Sequence, residues 1–280
     1  MIQSLLPTLS VLRFFGQDAK DFLHKQLSND INHLQQACYA SYNTPQGRVT
    51  ANMIVVSHHD ELLMIVANDL LETLKKRLTM FVLRSHVKIE TAENLGVSFR
   101  LPEHISPLIL SNEPLPTHFA YETEVSGSLK LLLPHGGELI IGEKSQLSAL
   151  NETAVEKWQA FEINSGFAWI TQATSNLFVA QMLNLHRIGG IHFKKGCYVG
   201  QEVIARSQYV GQVKRTLAVY TSETQLYAGD EIVNENNEVV GNVVNVSGSL
   251  NLCVVKLNFI KQPLSVNQQA LCWQHTFQAA

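Results

Sequence analysis

The 280-residue sequence is short of cysteine, of tryptophan and of charge. Its four cysteines, Cys38, Cys197, Cys253 and Cys272, form no CxxC pair, and their spacings fit neither a zinc site nor a disulfide framework. So few thiols suit a reducing compartment. No apolar run is long enough to span a bilayer. The N-terminal MIQSLLPTLSVLRFF has no basic lead and no small-residue cleavage site, and it is not rich in Arg and Ser. It therefore reads as neither a signal nor a transit peptide. A cytoplasmic location and no membrane partner are the expectations. Charged residues make up 16% and the net charge is −3, which gives no global reason to bind nucleic acid or a membrane surface. No internal repeat and no low-complexity stretch is visible.

Hydrophobic residues, at 45%, are plentiful enough for a real core, and the length allows two or three domains. Asp18 is placed to cap a helix carrying Phe22, Leu23 and Leu27 on one side. In YNTPQGRV, Pro45 and Gly47 mark a turn. RVTANMIVVS and ELLMIVA then read as paired strands, which makes the intervening HHDE, 58–61, a hairpin turn rather than a metal cluster. LLETLKKRLTMFVLR has a helical stripe of Leu70, Leu74, Leu78, Phe81 and Val82, and HVKIETAE returns as a strand. From Leu95 a second portion offers strands at GVSFR, LKLLLP and ELIIG and helices at KSQLSALN and NETAVEKWQAFEINSG. From Ser207 short strands alternate with Asn, Gly and Ser turns, the pattern of a small barrel or sandwich, with Gly241 at a bulge or bend. The fold class is α+β, in three portions: 1–94, 95–206 and 207–280.

The sparse charge is unevenly placed. Between Gln181 and Arg215 lie six basic residues, Arg187, Lys194, Lys195, Arg206, Lys214 and Arg215, against one acid, Glu202. Such a segment attracts anions. Within it sits FKKGCYVGQE, 193–202, where one cysteine stands between a glycine and a tyrosine. Lysines raise the thiolate fraction of a nearby thiol if they turn toward it, so Cys197 is a candidate reactive thiol and Lys195 its tuning neighbour. Cys38, Cys253 and Cys272 read instead as buried core residues. His186 and His192 lie near Cys197 in sequence, but the spacing H-x5-H-x4-C matches no zinc pattern and no metal site is assigned. Trp158, on the expected helix VEKWQAFEINSGF, reads as core, although an indole also walls a pocket for a flat heterocycle.

MLNLHRIGGIHFKKGCYVGQEVIARSQYVGQVKR, 182–215, resembles the signature of the YgfZ family of folate-binding, tRNA-modifying proteins. Its central pattern is carried by Lys195, Gly196, Cys197, Tyr198, Gly200, Gln201 and Glu202. GQDAKDFLHKQLSNDI and YNTPQGRV are also similar to the family. The resemblance implies the fold of the glycine cleavage T-protein, three domains around a central folate-sized hole, ending in a small β-barrel. It implies a tetrahydrofolate-type ligand, a role in assembly or repair of iron–sulfur enzymes, and through tRNA-thiolating enzymes among them a role in tRNA modification. Cys197 and Lys195 would form the thiol centre. Trp158, Asn164, Lys195, Tyr198, Gln201, Glu202 and Arg206 would hold the ligand. Asn164 stands where the family has a pterin-binding Glu, and Leu9 stands where it has a tryptophan, which predicts weaker or altered folate binding. A second reading from the same resemblance is an aminomethyltransferase-type enzyme that moves a one-carbon unit to tetrahydrofolate, with Asp30 as its carboxylate. Direct RNA binding through Lys194, Lys195, Arg206, Lys214 and Arg215 ranks last, because neither overall basic charge nor aromatic interleaving marks the sequence.

Overall fold

The structure, a computed structural model, describes residues 1–102, 115–211 and 213–277. The first portion contains β1 (Ile2–Leu5), β2 (Leu9–Phe15), α1 (Ala19–Gln26), β3 (Ala37–Asn43), β4 (Val49–His58), β5 (Glu61–Ala67), α2 (Leu71–Thr79) and β6 (Lys88–Thr91). The second contains β7 (Leu95–Leu101), β8 (Tyr121–Thr123), β9 (Leu129–Leu132), β10 (Glu138–Glu143), α3 (Glu152–Ser165) and α4 (Gln201–Tyr209). The third contains β11 (Arg215–Thr221), β12 (Glu231–Asn234), β13 (Val239–Ser247), β14 (Leu250–Lys256), β15 (Leu264–Val266) and β16 (Gln269–Thr276).

Two five-stranded antiparallel sheets, β3-β4-β5-β2-β6 and β1-β7-β10-β9-β8, share the first two portions, and the third closes as a six-stranded barrel, β11-β14-β13-β12-β15-β16. The barrel agrees with the expected C-terminal β unit, but its strands start at Arg215, and Ser207 lies within α4. Opposite Gly241 the register shifts between Ile232 and Val233, so the glycine lies at an irregularity of the ladder. Strand β1 crosses over to pair with β7 in the second sheet, Ile2 against Leu101 and Leu5 against Ser98. The chain then turns through residues 6–8 into β2, so this short crossover runs between the two sheets.

Several elements follow directly from local chemistry. Asn151 caps α3, its side chain accepting from Ala154 N at 3.1 Å, and Gly166, left-handed at φ +71°, ends the helix. Other elements depart from the pattern. Helix α2 stops at Thr79 rather than running on to Arg84; Phe81 is 44% exposed and Leu83 takes φ +47°, which breaks the helix, although Val82 still packs against the core. KSQLSALN supplies only one 3₁₀ turn, Lys144–Gln146, because Asn151 starts the next helix a few residues on. Strand β3, ACYASYN, is buried at all seven positions and so shows no alternation. One hydrophobic core runs from β2 through α3 to Leu252 and Val254 of the barrel, and a second fills the barrel itself.

Candidate functional site

Two separate features hold the residues singled out by the sequence: a loop centred on Cys197 and a cavity beside α3.

In the loop, side chains alternate between core and solvent. Lys195 and Tyr198 are buried, whereas Cys197 is exposed. Lys195 Nζ donates to Leu27 O at 2.6 Å and to His24 O, carbonyls at the C-terminal end of α1. A cation there satisfies orphaned carbonyls and complements the helix dipole. The ammonium also stands 4.9 Å from the centre of the Tyr198 ring. Burial lowers the Lys195 pKa to about 8, with Asp30 and the buried Cys38 thiol opposing the shift. Thus Lys195 directs its charge into the fold, and its hydrogen bonds anchor the loop; the sequence-based pairing with the Cys197 thiol is replaced by an anchoring contact. Burial likewise pushes the Tyr198 hydroxyl up.

The loop lies on the turn that the sequence marked at YNTPQGRV. Gly200 has φ +82°, and a Cβ there would come within 2.5 Å of Thr44 O and 3.0 Å of Gly47 Cα. Gly47, at φ +71°, would meet the Val203 side chain at 2.9 Å in the same way. Only glycine allows the two turns to approach this closely. A second tie joins LSND to HRIGG: Ser28 Oγ donates to Gly190 O at 2.6 Å and Asn29 Nδ2 to Gly189 O at 2.9 Å. Gln181 Nε2 donates to Ile204 O of α4 at 2.6 Å. The sequence-distant stretches that carried the resemblance therefore form one continuous seam.

Beyond the anchor, α4 begins at Gln201, which is half-buried, and Arg206 pairs with Glu202 at 3.0 Å with both side chains in solvent. Such a pair contributes little to stability. Asp30 sits beneath α1, held by His33 Nδ1 at 2.8 Å and His24 Nδ1 at 3.1 Å. Burial raises its pKa, but the hydrogen bonds from His33 prevail and keep it below the ordinary value. His24 is lowered by burial and by the Lys195 ammonium. Among the described residues no group of three or more His, Cys, Asp or Glu is placed to hold a metal.

The cavity lies where all three portions meet. The crossover contributes Leu6, Thr8 and Leu9; α3 and the loop after it contribute Trp158, Glu162, Phe167 and Trp169; β13 contributes Asn245. Trp158 is 1% exposed and stacks on Phe99 at 4.8 Å. Trp169 Nε1 donates to Glu162 Oε1 at 2.9 Å. Asn245 clamps the backbone of Trp169, accepting from its N–H at 3.0 Å and donating to its carbonyl at 2.9 Å, so a barrel residue positions the second indole. Glu162 is 6% exposed, and burial raises its pKa to about 8, against the opposing pull of the Trp169 and Trp158 N–H groups. A buried carboxyl, two indoles and apolar walls can hold a flat heterocycle that donates hydrogen bonds once the carboxyl gives up its proton.

Of the expected ligand residues, only Trp158 lines this cavity. Asn164 turns away and donates Nδ2 to Ala160 O of its own helix at 2.8 Å. Lys195, Tyr198, Gln201, Glu202 and Arg206 do not reach it, and neither does Asp30. Glu162, Trp169 and Asn245 were not anticipated. For Glu162 a usable signal exists: it lies four residues after Trp158 and so shares its helix face. Asn245 had none, since only the closing of the barrel brings it there.

The cysteines divide by burial. Cys38 and Cys253 are fully buried, whereas Cys197 and Cys272 are exposed, so the core reading fails for Cys272. Alkylation of the folded protein with iodoacetamide, read by peptide mass spectrometry, is expected to label Cys197 and Cys272. Cys38 and Cys253 should react only after unfolding, because burial pushes both thiols far above the ordinary value.

No family model matches the chain. It is 28% identical over 241 residues to "tRNA-modifying protein YgfZ" of Colwellia psychrerythraea, an alignment covering 81% of this chain and 74% of that protein. The protein of the same description from Hamiltonella defensa is 29% identical over 230 residues, covering 76% of this chain and 68% of the relative. Among solved structures, the glycine cleavage system aminomethyltransferase T from Bartonella henselae superposes with a TM-score of 0.70 at 12% identity, covering 99% of this chain and 86% of that one. The chain therefore has the T-protein-like fold. Among the described residues no helix is long and apolar enough to cross a membrane.

Proposed function

The chain is a relative of the YgfZ tRNA-modifying proteins, and from that premise we propose that it serves tRNA modification as a folate-binding accessory protein. The observation that carries the folate reading is the cavity at the meeting of the three portions, walled by Trp158 and Trp169 and holding Glu162. A tetrahydrofolate-type ligand would lay its pterin ring against the apolar walls, and its amino and ring N–H groups would donate to Glu162. When bound, such a cofactor supplies a one-carbon carrier. The residues here supply an enclosed wall, a hydrogen-bonding carboxyl and the exclusion of water. Glu162 takes the role that the sequence assigned to position 164, so the fit does not depend on Asn164.

Cys197 acts as the functional thiol, presented to solvent on a loop fixed by Lys195 and Tyr198. Its clients would be iron–sulfur enzymes, tRNA-thiolating ones among them, in the cytoplasm. The portions 1–94, 95–206 and 207–280 would be its structural units. The aminomethyltransferase alternative gains no support from Asp30, which is engaged by His24 and His33 outside the cavity.

Calorimetric titration with tetrahydrofolate tests the cavity, with micromolar binding expected and no binding at any attainable concentration counting against it. For the thiol, cells whose only copy carries Cys197→Ala should lose thiolated nucleosides from their tRNA and show reduced iron–sulfur enzyme activity. Unchanged levels of both would sink that half of the reading.

A further inference from the structure

On the face formed by residues 193–194 of the Cys197 loop lies an open groove, distinct from the central cavity. Its lining includes Arg187, Lys194, His186 and His192, the uncharged Thr117 and Gln208, and the aromatic pair Phe193 and Tyr209. Among the described residues no acidic side chain lines it. In a chain of net charge −3 such a surface is locally of opposite sign to the whole. Lys194 is exposed, and Arg187 is held in place by a hydrogen bond to Phe277 O. Tyr209 is 70% exposed, an unusual position for so large a ring, and it meets Phe193 edge-on with centres 5.8 Å apart. Arg206 stands one turn before Tyr209 on α4. Tertiary folding thus produces what the linear sequence lacks: cations and stacking rings on one concave surface.

We propose that this groove binds a single-stranded RNA segment. Lys194 and Arg187 meet backbone phosphates, and a base stacks on Tyr209 against Phe193. Three observations favour RNA over a simple anion. The groove is open and lined by cations and rings together rather than being one enclosed charge pocket. The exposed ring offers a π-face, which any base can use and a bare phosphate cannot. The lining also carries neutral hydrogen-bonding groups, Thr117 and Gln208, suited to base edges and 2′-hydroxyls. The inference rests on the proposed role in tRNA modification and makes that role a direct contact with the RNA.

The test is fluorescence anisotropy of the full chain with a labelled single-stranded oligouridylate, with unlabelled tRNA and inorganic polyphosphate as competitors across a salt series. Tyr209→Ala should weaken oligouridylate binding about tenfold with an unchanged salt slope, because stacking is not ionic. Lys194→Met should weaken it and make the slope of log K against log salt less negative by about 0.7, the signature of one lost phosphate contact on a single strand. Lys20→Met, an exposed lysine on α1, should change nothing. All three side chains are solvent-exposed, and equal thermal unfolding verifies that the variants fold. Absence of RNA binding at low salt, or binding that Lys194→Met and Tyr209→Ala leave intact, overturns the proposal. So does polyphosphate competition as strong as that of tRNA with Tyr209→Ala neutral, which would mean an undiscriminating anion patch. If RNA fails to bind while Cys197→Ala still lowers tRNA thiolation in cells, the accessory role stands and only the groove assignment falls.

Discussion

Replacing Glu162 by alanine is expected to weaken tetrahydrofolate binding by about two orders of magnitude, whereas Asn164→Glu leaves it nearly unchanged. Two hydrogen bonds to a buried ionised carboxyl are each worth about 1.5–3 kcal/mol, and about 1.4 kcal/mol is a factor of ten. Glu162 is the carboxyl in the cavity; Asn164 faces its own helix backbone. Isothermal titration of the two variants beside the parent decides the matter, and a large gain from Asn164→Glu would overturn the assignment. A pH dependence accompanies it. The Glu162 pKa of about 8 means the group holds its proton at neutral pH. A ligand that donates to the carboxylate must displace that proton, so affinity should rise with pH up to about 8 and binding should release a proton. Stability moves the opposite way. The folded chain binds this proton more tightly than the unfolded chain, whose value is near 4.5. The stabilisation from Glu162 is full below pH 4.5 and is lost as pH rises through 8. Glu162→Gln should flatten that slope in denaturant titrations run between those values.

Trp158→Ala is expected to lower the unfolding free energy by about 3–5 kcal/mol, the usual cost of deleting a fully buried tryptophan, and the melting temperature by roughly 10 °C. The indole is 1% exposed and packs between Phe99 and Phe161 at 4.8 and 5.7 Å, contacts that alanine would remove. Trp158→Phe should keep most of the stability while removing part of the cavity wall. Differential scanning calorimetry of both variants distinguishes the roles. If alanine at 158 left the melting temperature intact, the indole would be a pure ligand contact.

The boundary between the legible and the hidden follows a physical line. The α3 helix was readable because Asn151, a periodic apolar face and Gly166 act within a few residues of one another. The all-β character of the C-terminal unit was readable because its strands are short, sequential and punctuated by turn residues. Strand β3 was not, since a strand buried on both faces has no alternation, and ACYASYN lacks the usual run of β-branched residues. The end of α2 was misread because Phe81 continues the helical stripe in sequence although its side chain is 44% exposed in the fold.

At the site the same division holds. The motif at 193–202 and the turn at 44–47 were each visible in the sequence by their glycines. Their contact depends on two glycines far apart in the chain meeting backbone to backbone, which is a long-range fact. The lysine beside the thiol was legible as a charge, but its direction was decided by the end of α1, whose unpaired carbonyls outbid a solvent-exposed sulfur for the ammonium. The surroundings of Glu162 and the clamp of Asn245 arise only where separate portions converge, and Phe193 meets Tyr209 only because the loop folds back onto α4. Sequence by itself determined the α+β class, a C-terminal all-β unit and the presence of an unusual thiol loop, because local propensity and turn chemistry act over a few residues; that the β unit closes as a barrel was decided by its strand pairing. Which groups share a cavity, and what protonation each holds, was decided by tertiary structure, because desolvation and close packing depend on neighbours that the chain brings in from a distance.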